Sequence, residues 1–382
     1  MAPMQWQGVI ELSNSRRILQ VRESDIKKMA QGKVGVISLA QGVTELAPFS
    51  FSFFEQVDDE CLKYSPQSGL PILRKYLADY TSKNFGMNVS EENILVTSGA
   101  ITGIYCTLVS LIDEGDEVIL LRPYYASYME QLQLLGAKIK IVDLDEDWQI
   151  DANRLRKSMT KDTKLVILCN PSNPAGKILD NISDIIRLCD DKGIYSLIDD
   201  TYGDLVYDND RKKCIIGDNT IITSSFSKNL GIGGLRLGYV CADKDLIKQI
   251  SKANDAISIC APSISQYFVA DLFEKEKIRG LIEEQRMSLK RKRDLICSRL
   301  DDLGRYFSYK RPDGAIYVFV KLLFTEDDNR FCKELLDYGV AAVPGSAFGK
   351  KGYIRLCFGT SEEKIEIAFD KIKEFICKKD NK

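Results

Sequence analysis

The chain reads as an α/β protein: a large domain on a mostly parallel central sheet, and a smaller α+β domain formed by its N- and C-terminal segments. Three observations predict this. Short Val/Ile/Leu-rich runs recur between residues 93 and 242 without strict polar alternation, as strands covered on both faces do. Helical stretches separate several of them, and strand alternating with helix builds a parallel sheet. The pattern then changes, with charged helical sequence over 243–304 followed by short strands and a closing helix. A chain of 382 residues suits one large domain with a smaller partner, divided here as 1–45, 46–280 and 281–382.

Taken in order, residues 12–31 read as one helix ahead of the sheet. NILVTSG from Asn93 is the first strand of the sheet, and AITGIYCTLVSLIDEG is the helix after it. EVILLRP from Glu117, KIKIVDL from Lys138 and KLVILCN from Lys164 are further strands. NISDIIRLCDDKG is a helix that opens at Asn181 and closes on Gly193. IYSLIDD from Ile194, TIITSSFS from Thr220 and LGYVCA from Leu237 complete the strand set. Within the later helical stretch, the run KRKRD at 290–294 lies on a helical repeat with Leu289 and Leu295 on another face. That makes it a solvated helix face, not a nucleic-acid contact. AIYVFVKL and YIRLCFG are strands of the smaller domain, ahead of a terminal helix.

Composition removes whole classes of function. Lys and Arg number 53 against 55 Asp and Glu, so no global basic field draws nucleic acid. No apolar run approaches the roughly 20 residues that span a bilayer, and the N-terminus lacks the pattern of a secretory signal. The 11 cysteines are odd in number and lie mostly in apolar runs without C-x-x-C pairing, as reduced, buried thiols of a cytoplasmic protein do. Histidine is absent. Acid–base and nucleophilic work therefore falls to Lys, Asp, Glu, Tyr or Cys.

SSFSKNLGIGGLRLGYV, residues 224–240, places Lys228 just after an apolar strand. Burial there lowers a lysine pKa, and a desolvated amine forms a Schiff base with an aldehyde. Ser225, Ser227 and Arg236 lie close by, and GIGG at 231–234 lets the chain return Arg236 toward the lysine, offering a grip for phosphate. An aldehyde carrying a phosphate is pyridoxal 5'-phosphate. Its other needs have candidates. Asp199, ending IYSLID, is an acid for the pyridine nitrogen, and Tyr202 is within reach of the ring oxygen. TSGAITGI stands between a strand and a helix, so the amides of Gly99, Ala100 and Ile101 face an anion at a helix N-terminus. RPYYASY supplies Tyr125 as a flat partner for the ring. NPSNPAG, directly after the strand KLVILC, forces a loop from which Asn173 points its amide over the sheet.

Together these segments resemble the class I/II aminotransferases of the fold-type I pyridoxal-phosphate enzymes, from LAQG at 39 to YIRLCFG at 353. The resemblance implies that Lys228 holds the cofactor as an aldimine and moves the substrate proton. It implies that Ser225, Arg236 and the turn Gly99–Ile101 bind phosphate, that Asp199 partners the pyridinium, and that Tyr202 and Asn173 bind the ring hydroxyl. Tyr125 stands where the family carries a stacking aromatic. Arg355 matches the arginine that grips the substrate α-carboxylate, helped by Asn173 and the backbone of Gly42. Tyr64, in KYSPQSGLPILRKYL, matches a tyrosine that reaches the phosphate of a neighbouring subunit, which implies a homodimer with shared sites. The implied reaction is ping-pong transfer of an amino group from an L-amino acid to a 2-oxo acid.

The same scaffold supports lyases, replacement enzymes and amino-acid cyclases, and a catalytically silent binding module is a reading of another class. The full set of site residues speaks against the silent module. For the substrate side chain, Arg16, Arg17 and Arg22 are candidate cations with surface placement as the alternative. Glu45, shortly after Gly42, is a candidate partner for a basic or amine-bearing substrate.

Overall fold

The sheet strands form where apolar runs are covered on both sides, and the computed structural model, which describes residues 15–21, 35–45, 53, 57–208 and 216–380, builds them at the expected places. In chain order the strands are β1 (Ile37–Ser38), β2 (Ile94–Thr97), β3 (Glu117–Arg122), β4 (Lys138–Asp143), β5 (Thr163–Cys169), β6 (Tyr195–Asp199), β7 (Thr220–Ser225) and β8 (Gly238–Cys241). They continue with β9 (Phe307–Tyr309), β10 (Tyr317–Leu322), β11 (Val340–Ala341), β12 (Val343–Pro344) and β13 (Tyr353–Cys357). The central sheet runs β2-β8-β7-β6-β5-β3-β4. Five of its strands, β3 to β7, are mutually parallel, whereas β8 lies antiparallel to both β7 and β2. Every residue of β2, β7 and β8 is buried, which is why these runs lack polar alternation.

A second, antiparallel sheet, β12-β13-β10-β9, comes from the C-terminal part of the chain, and β1 pairs in parallel with β11. This is the α/β architecture with a mostly parallel large sheet and a smaller α+β part.

The charged helical stretch is three helices, Lys244–Ser258, Ser263–Glu274 and Ile278–Asp301. It breaks where Ile259 (φ 62°) and Glu276 (φ 53°) take left-handed backbone and where Pro262 lacks an N–H for a continuing helix. The third helix serves two cores. Its Ile278, Leu281 and Ile282 pack beneath the large sheet, and its Leu289, Ile296, Cys297 and Leu300 pack with the smaller one.

That helix also corrects the solvated-face expectation for KRKRD. Lys292 is 4% exposed and Arg293 fully buried. Arg293 donates two bonds to the Asp208 carboxylate, at 2.7 and 2.9 Å, one to Asp294 at 2.6 Å and one to the Pro312 carbonyl at 2.8 Å. A guanidinium satisfied on all sides is tolerated inside, and no sequence periodicity announces its partners. At the N-terminus, the described helix is Arg16–Gln20, capped by Ser15; residues 12–14 and 22–31 of the expected helix lie outside the described residues. The helix after Asn181 runs Ile182–Asp191, and Gly193 follows at φ 65°, as expected.

Candidate active site

In parallel α/β sheets, ligands bind beyond the carboxyl ends of the strands, where loops diverge. Here those ends deliver Asn173 after β5, Asp199 on β6, and Ser225 and Lys228 after β7 to one cavity of about 330 Å³. Ala100, Ile101, Tyr125, Tyr202, Ser227 and Arg236 line it too, as do Gly42 and Arg355 from the smaller part of the chain.

Lys228 sits on the short helical turn Phe226–Asn229. Ser225 caps that turn, accepting from the Ser227 amide at 3.1 Å. The Lys228 amine donates to the Gly42 carbonyl, and Thr44 Oγ1 donates to the Lys228 carbonyl at 3.0 Å. Burial pushes the amine below its ordinary 10.5, and the nearby charges of Arg355 and Arg236 act in the same direction. A neutral amine, which a nucleophile needs, is thereby favoured.

Asp199 is buried, and burial pushes its carboxyl up; bonds from Thr201 and Tyr128 pull the other way. Tyr128 OH donates to Oδ2 at 2.5 Å, while the Thr201 hydroxyl and amide donate to Oδ1 at 2.6 and 3.1 Å. Three donors on one carboxylate hold it ready for a cationic partner in the cavity.

A candidate anion cradle forms around Arg236. Gly99 caps the helix Ala100–Leu111 with φ 81°, and a Cβ there would stand 2.7 Å from Arg236 Nη2. The guanidinium therefore packs directly over the turn, whose backbone conformation favours glycine. Arg236 itself turns through left-handed backbone and donates to the Gly233 carbonyl at 3.0 Å. Ser225 and Ser227 hydroxyls, 2.8 Å apart, complete the cradle. Helix N-terminus, hydroxyls and guanidinium together suit a phosphate.

Arg355 enters from β13, 1% exposed. It donates to Asn173 Oδ1 at 3.0 Å and to the Ala40 carbonyl at 2.6 Å, leaving its Nε without a partner. A buried guanidinium with an unmet donor is suited to a carboxylate.

Tyr64 lies apart, 80% exposed and outside the cavity. Glu45 is corrected: it does not line the cavity but pairs with the buried Lys292, while Gln285 holds its carbonyl at 2.7 Å. A buried ammonium on the long helix claims the carboxylate first. Arg17 pairs with Glu114 on the surface at 2.6 Å, Arg16 is exposed, and Arg22 lies outside the described residues.

Three site residues escaped the sequence. Tyr128 stands one helical turn from Tyr125, so an i, i+3 spacing was there to find it. Thr201 follows Asp199 by two positions, a spacing that lets a short side chain bond back. Tyr317 carries no local signal. Cys61, Cys106, Cys189, Cys241, Cys297, Cys332 and Cys357 are buried free thiols, as their apolar runs imply. Among the described residues, no helix is long and apolar enough to cross a membrane.

Comparison with known proteins agrees with this geometry. The family model for aminotransferase class I and II matches residues 40–372. The probable aspartate aminotransferase of Methanocaldococcus jannaschii is 34% identical over 83% of this chain and 86% of its own. The aspartate aminotransferase of Pyrococcus horikoshii is 30% identical over 94% and 96%. The solved structure of the Thermus thermophilus aspartate aminotransferase with maleate superposes with a TM-score of 0.87 at 27% identity, covering 95% of this chain and all of that one. The chain belongs to the aminotransferase class I and II family, and it is an aminotransferase.

Proposed function

We propose that the enzyme uses pyridoxal 5'-phosphate to move an amino group from an L-amino acid to a 2-oxo acid in two half-reactions. The carrying observation is one cavity that holds a desolvated lysine, a buried carboxylate, an anion cradle and a buried arginine with an unmet donor. The fit to the cofactor is supported by the Gly99 turn, where a side chain would displace Arg236.

In this assignment Gly99, Ala100 and Ile101 amides, with Ser225, Ser227 and Arg236, hold the phosphate. Asp199 keeps the pyridine nitrogen protonated, Tyr125 covers the ring, and Tyr202 with Asn173 bonds the ring oxygen. When bound, the cofactor supplies an electron sink for the bond at the substrate Cα. Arg355, with Asn173 and the Gly42 backbone, grips the α-carboxylate and so fixes which Cα bond faces the ring. Lys228 Nζ takes the Cα proton and returns it, a task that its lowered pKa suits. Tyr64, exposed in one chain, is assigned to the phosphate of a second copy, so that a homodimer forms the complete sites. Division of the chain at 45 and 280, and a cytoplasmic setting that keeps the thiols reduced, belong to the same proposal.

The test is an absorbance spectrum of the enzyme loaded with pyridoxal phosphate, titrated with single amino acids. The relatives' names put aspartate first in the panel. Bleaching of the visible band with one equivalent of 2-oxo acid released is the expected result, and Lys228→Ala should lose essentially all turnover. Release of ammonia or thiol without formation of the pyridoxamine form would instead sink the transaminase assignment in favour of elimination.

A further inference from the structure

Arg355 and Tyr202 converge on one side chain for which the sequence offers no role. Tyr317, on β10, is 3% exposed and lines the cavity. The Arg355 guanidinium lies over its ring at 4.2 Å from the centroid, with Phe348 at 4.9 Å. Its hydroxyl accepts from Tyr202 OH at 3.2 Å. It also abuts Gly42, where a Cβ would come within 2.0 Å of the hydroxyl oxygen. We propose that Tyr317 is a positioning residue for transamination: its ring sets the plane of Arg355, and its hydroxyl sets the proton that Tyr202 presents to the cavity.

The ring claim follows from how Arg355 is held. Its edge makes two bonds, to Asn173 and Ala40, and its Nε makes none, so the plane of the fork depends on its aromatic neighbours. Strand register supports this, since Tyr317 pairs with Cys357 and Phe319 with Arg355, so Tyr317 stands diagonally from Arg355 across the β10–β13 pair. The hydroxyl claim follows from proton bookkeeping. Tyr202 has one proton, now given to Tyr317. Once an acceptor oxygen stands in the cavity, that proton turns to it, and Tyr317 donates to Tyr202 in its place. A donor that itself accepts a bond donates more strongly. The groups facing Tyr317 are Tyr202, Tyr125, Cys357 and Arg355, and only Tyr202 bonds its hydroxyl.

The inference rests on the proposed cofactor and reaction, and its test separates the two. Tyr317→Phe and Tyr317→Leu are loaded with pyridoxal phosphate, the pH midpoint of the visible band is titrated, and KM and kcat are measured for amino acid and 2-oxo acid. Tyr317→Phe weakens the donor at the ring oxygen, which then holds the proton on Lys228 Nζ better. Its midpoint should rise by roughly half a pH unit with KM unchanged. Tyr317→Leu should also raise KM for both substrates by roughly tenfold, because both carry the carboxylate that Arg355 holds. An unmoved midpoint in the first variant with an unchanged KM in the second overturns the proposal, while continued transamination leaves the reaction standing. Wild-type protein that takes up no pyridoxal phosphate overturns both. If Tyr317→Leu does not fold, the midpoint of Tyr317→Phe decides alone.

Discussion

Lys228 and Asp199 are each held in a state that folding alone disfavours, and their proposed roles require it. Burial lowers the lysine pKa below its ordinary 10.5. Between the lowered value and 10.5 the unfolded chain binds more protons than the folded one, so stability rises with pH across that window. Below it the full penalty applies. Lys228→Met apoprotein should therefore melt higher than wild type at neutral pH, and the difference should shrink as pH climbs toward 10.5; equal melting curves at all pH values would show that the amine is not desolvated. Asp199 is the complementary case, a carboxyl raised by burial and steadied by Thr201 and Tyr128. In its proposed role beside the pyridine nitrogen, Asp199→Asn keeps the shape but would not fix a proton there, so kcat/KM should fall roughly 10³-fold. Tyr128→Phe should produce a smaller loss in the same assay, since Thr201 still donates twice.

At the scale of elements, the helix Ile278–Asp301 joins two cores and buries two cations whose counter-charges come mainly from elsewhere in the chain. Arg293 holds the Asp208 carboxyl down to about 2, and Lys290 contributes. Because that pKa is depressed, the contribution is present above the ordinary 3.8 and is lost as pH falls toward 2. The pair is unequal: the Arg293 side chain is 0% exposed and that of Asp208 47%. Removing Asp208 leaves a buried guanidinium with the Asp294 carboxylate and the Pro312 carbonyl, whereas removing Arg293 leaves a carboxylate that water reaches. Asp208→Ala should thus cost about 2 kcal/mol and Arg293→Met only about 1 kcal/mol in urea unfolding; the reverse order would refute the account. This helix also marks where sequence legibility ends. Strands buried on both faces announce themselves by composition, and the residues at their ends are legible because strand ends are where α/β sites form. Lys292 and Arg293 were not legible, since a charged run reads as solvated until its partners 247 and 85 positions away are known. Tyr317 was hidden for the same reason, its bond to Tyr202 spanning 115 positions.

For the whole molecule, the proposed homodimer makes a testable claim about which chain completes which cavity. Tyr64, a proposed cofactor ligand, stays outside the cavity of its own chain, on a surface that also exposes Leu62 at 73%. Neighbouring groups tie this segment down: Ser263 donates to the Lys63 carbonyl, and Gln266 bonds Ser65 at 2.8 Å. A tyrosine presented on a fixed segment suits a contact with a second copy related by two-fold symmetry. Subunit mixing tests this directly. One parent carries Lys228→Ala with Tyr64 intact, and the other carries Tyr64→Phe with Lys228 intact. The assay uses a pyridoxal phosphate concentration at which the Tyr64→Phe dimer is mostly unloaded. If Tyr64 serves the opposite chain, each hybrid dimer contains one site with both groups, and an equal mixture recovers about a quarter of wild-type activity. If Tyr64 serves its own chain, no hybrid site has both, and mixing recovers nothing.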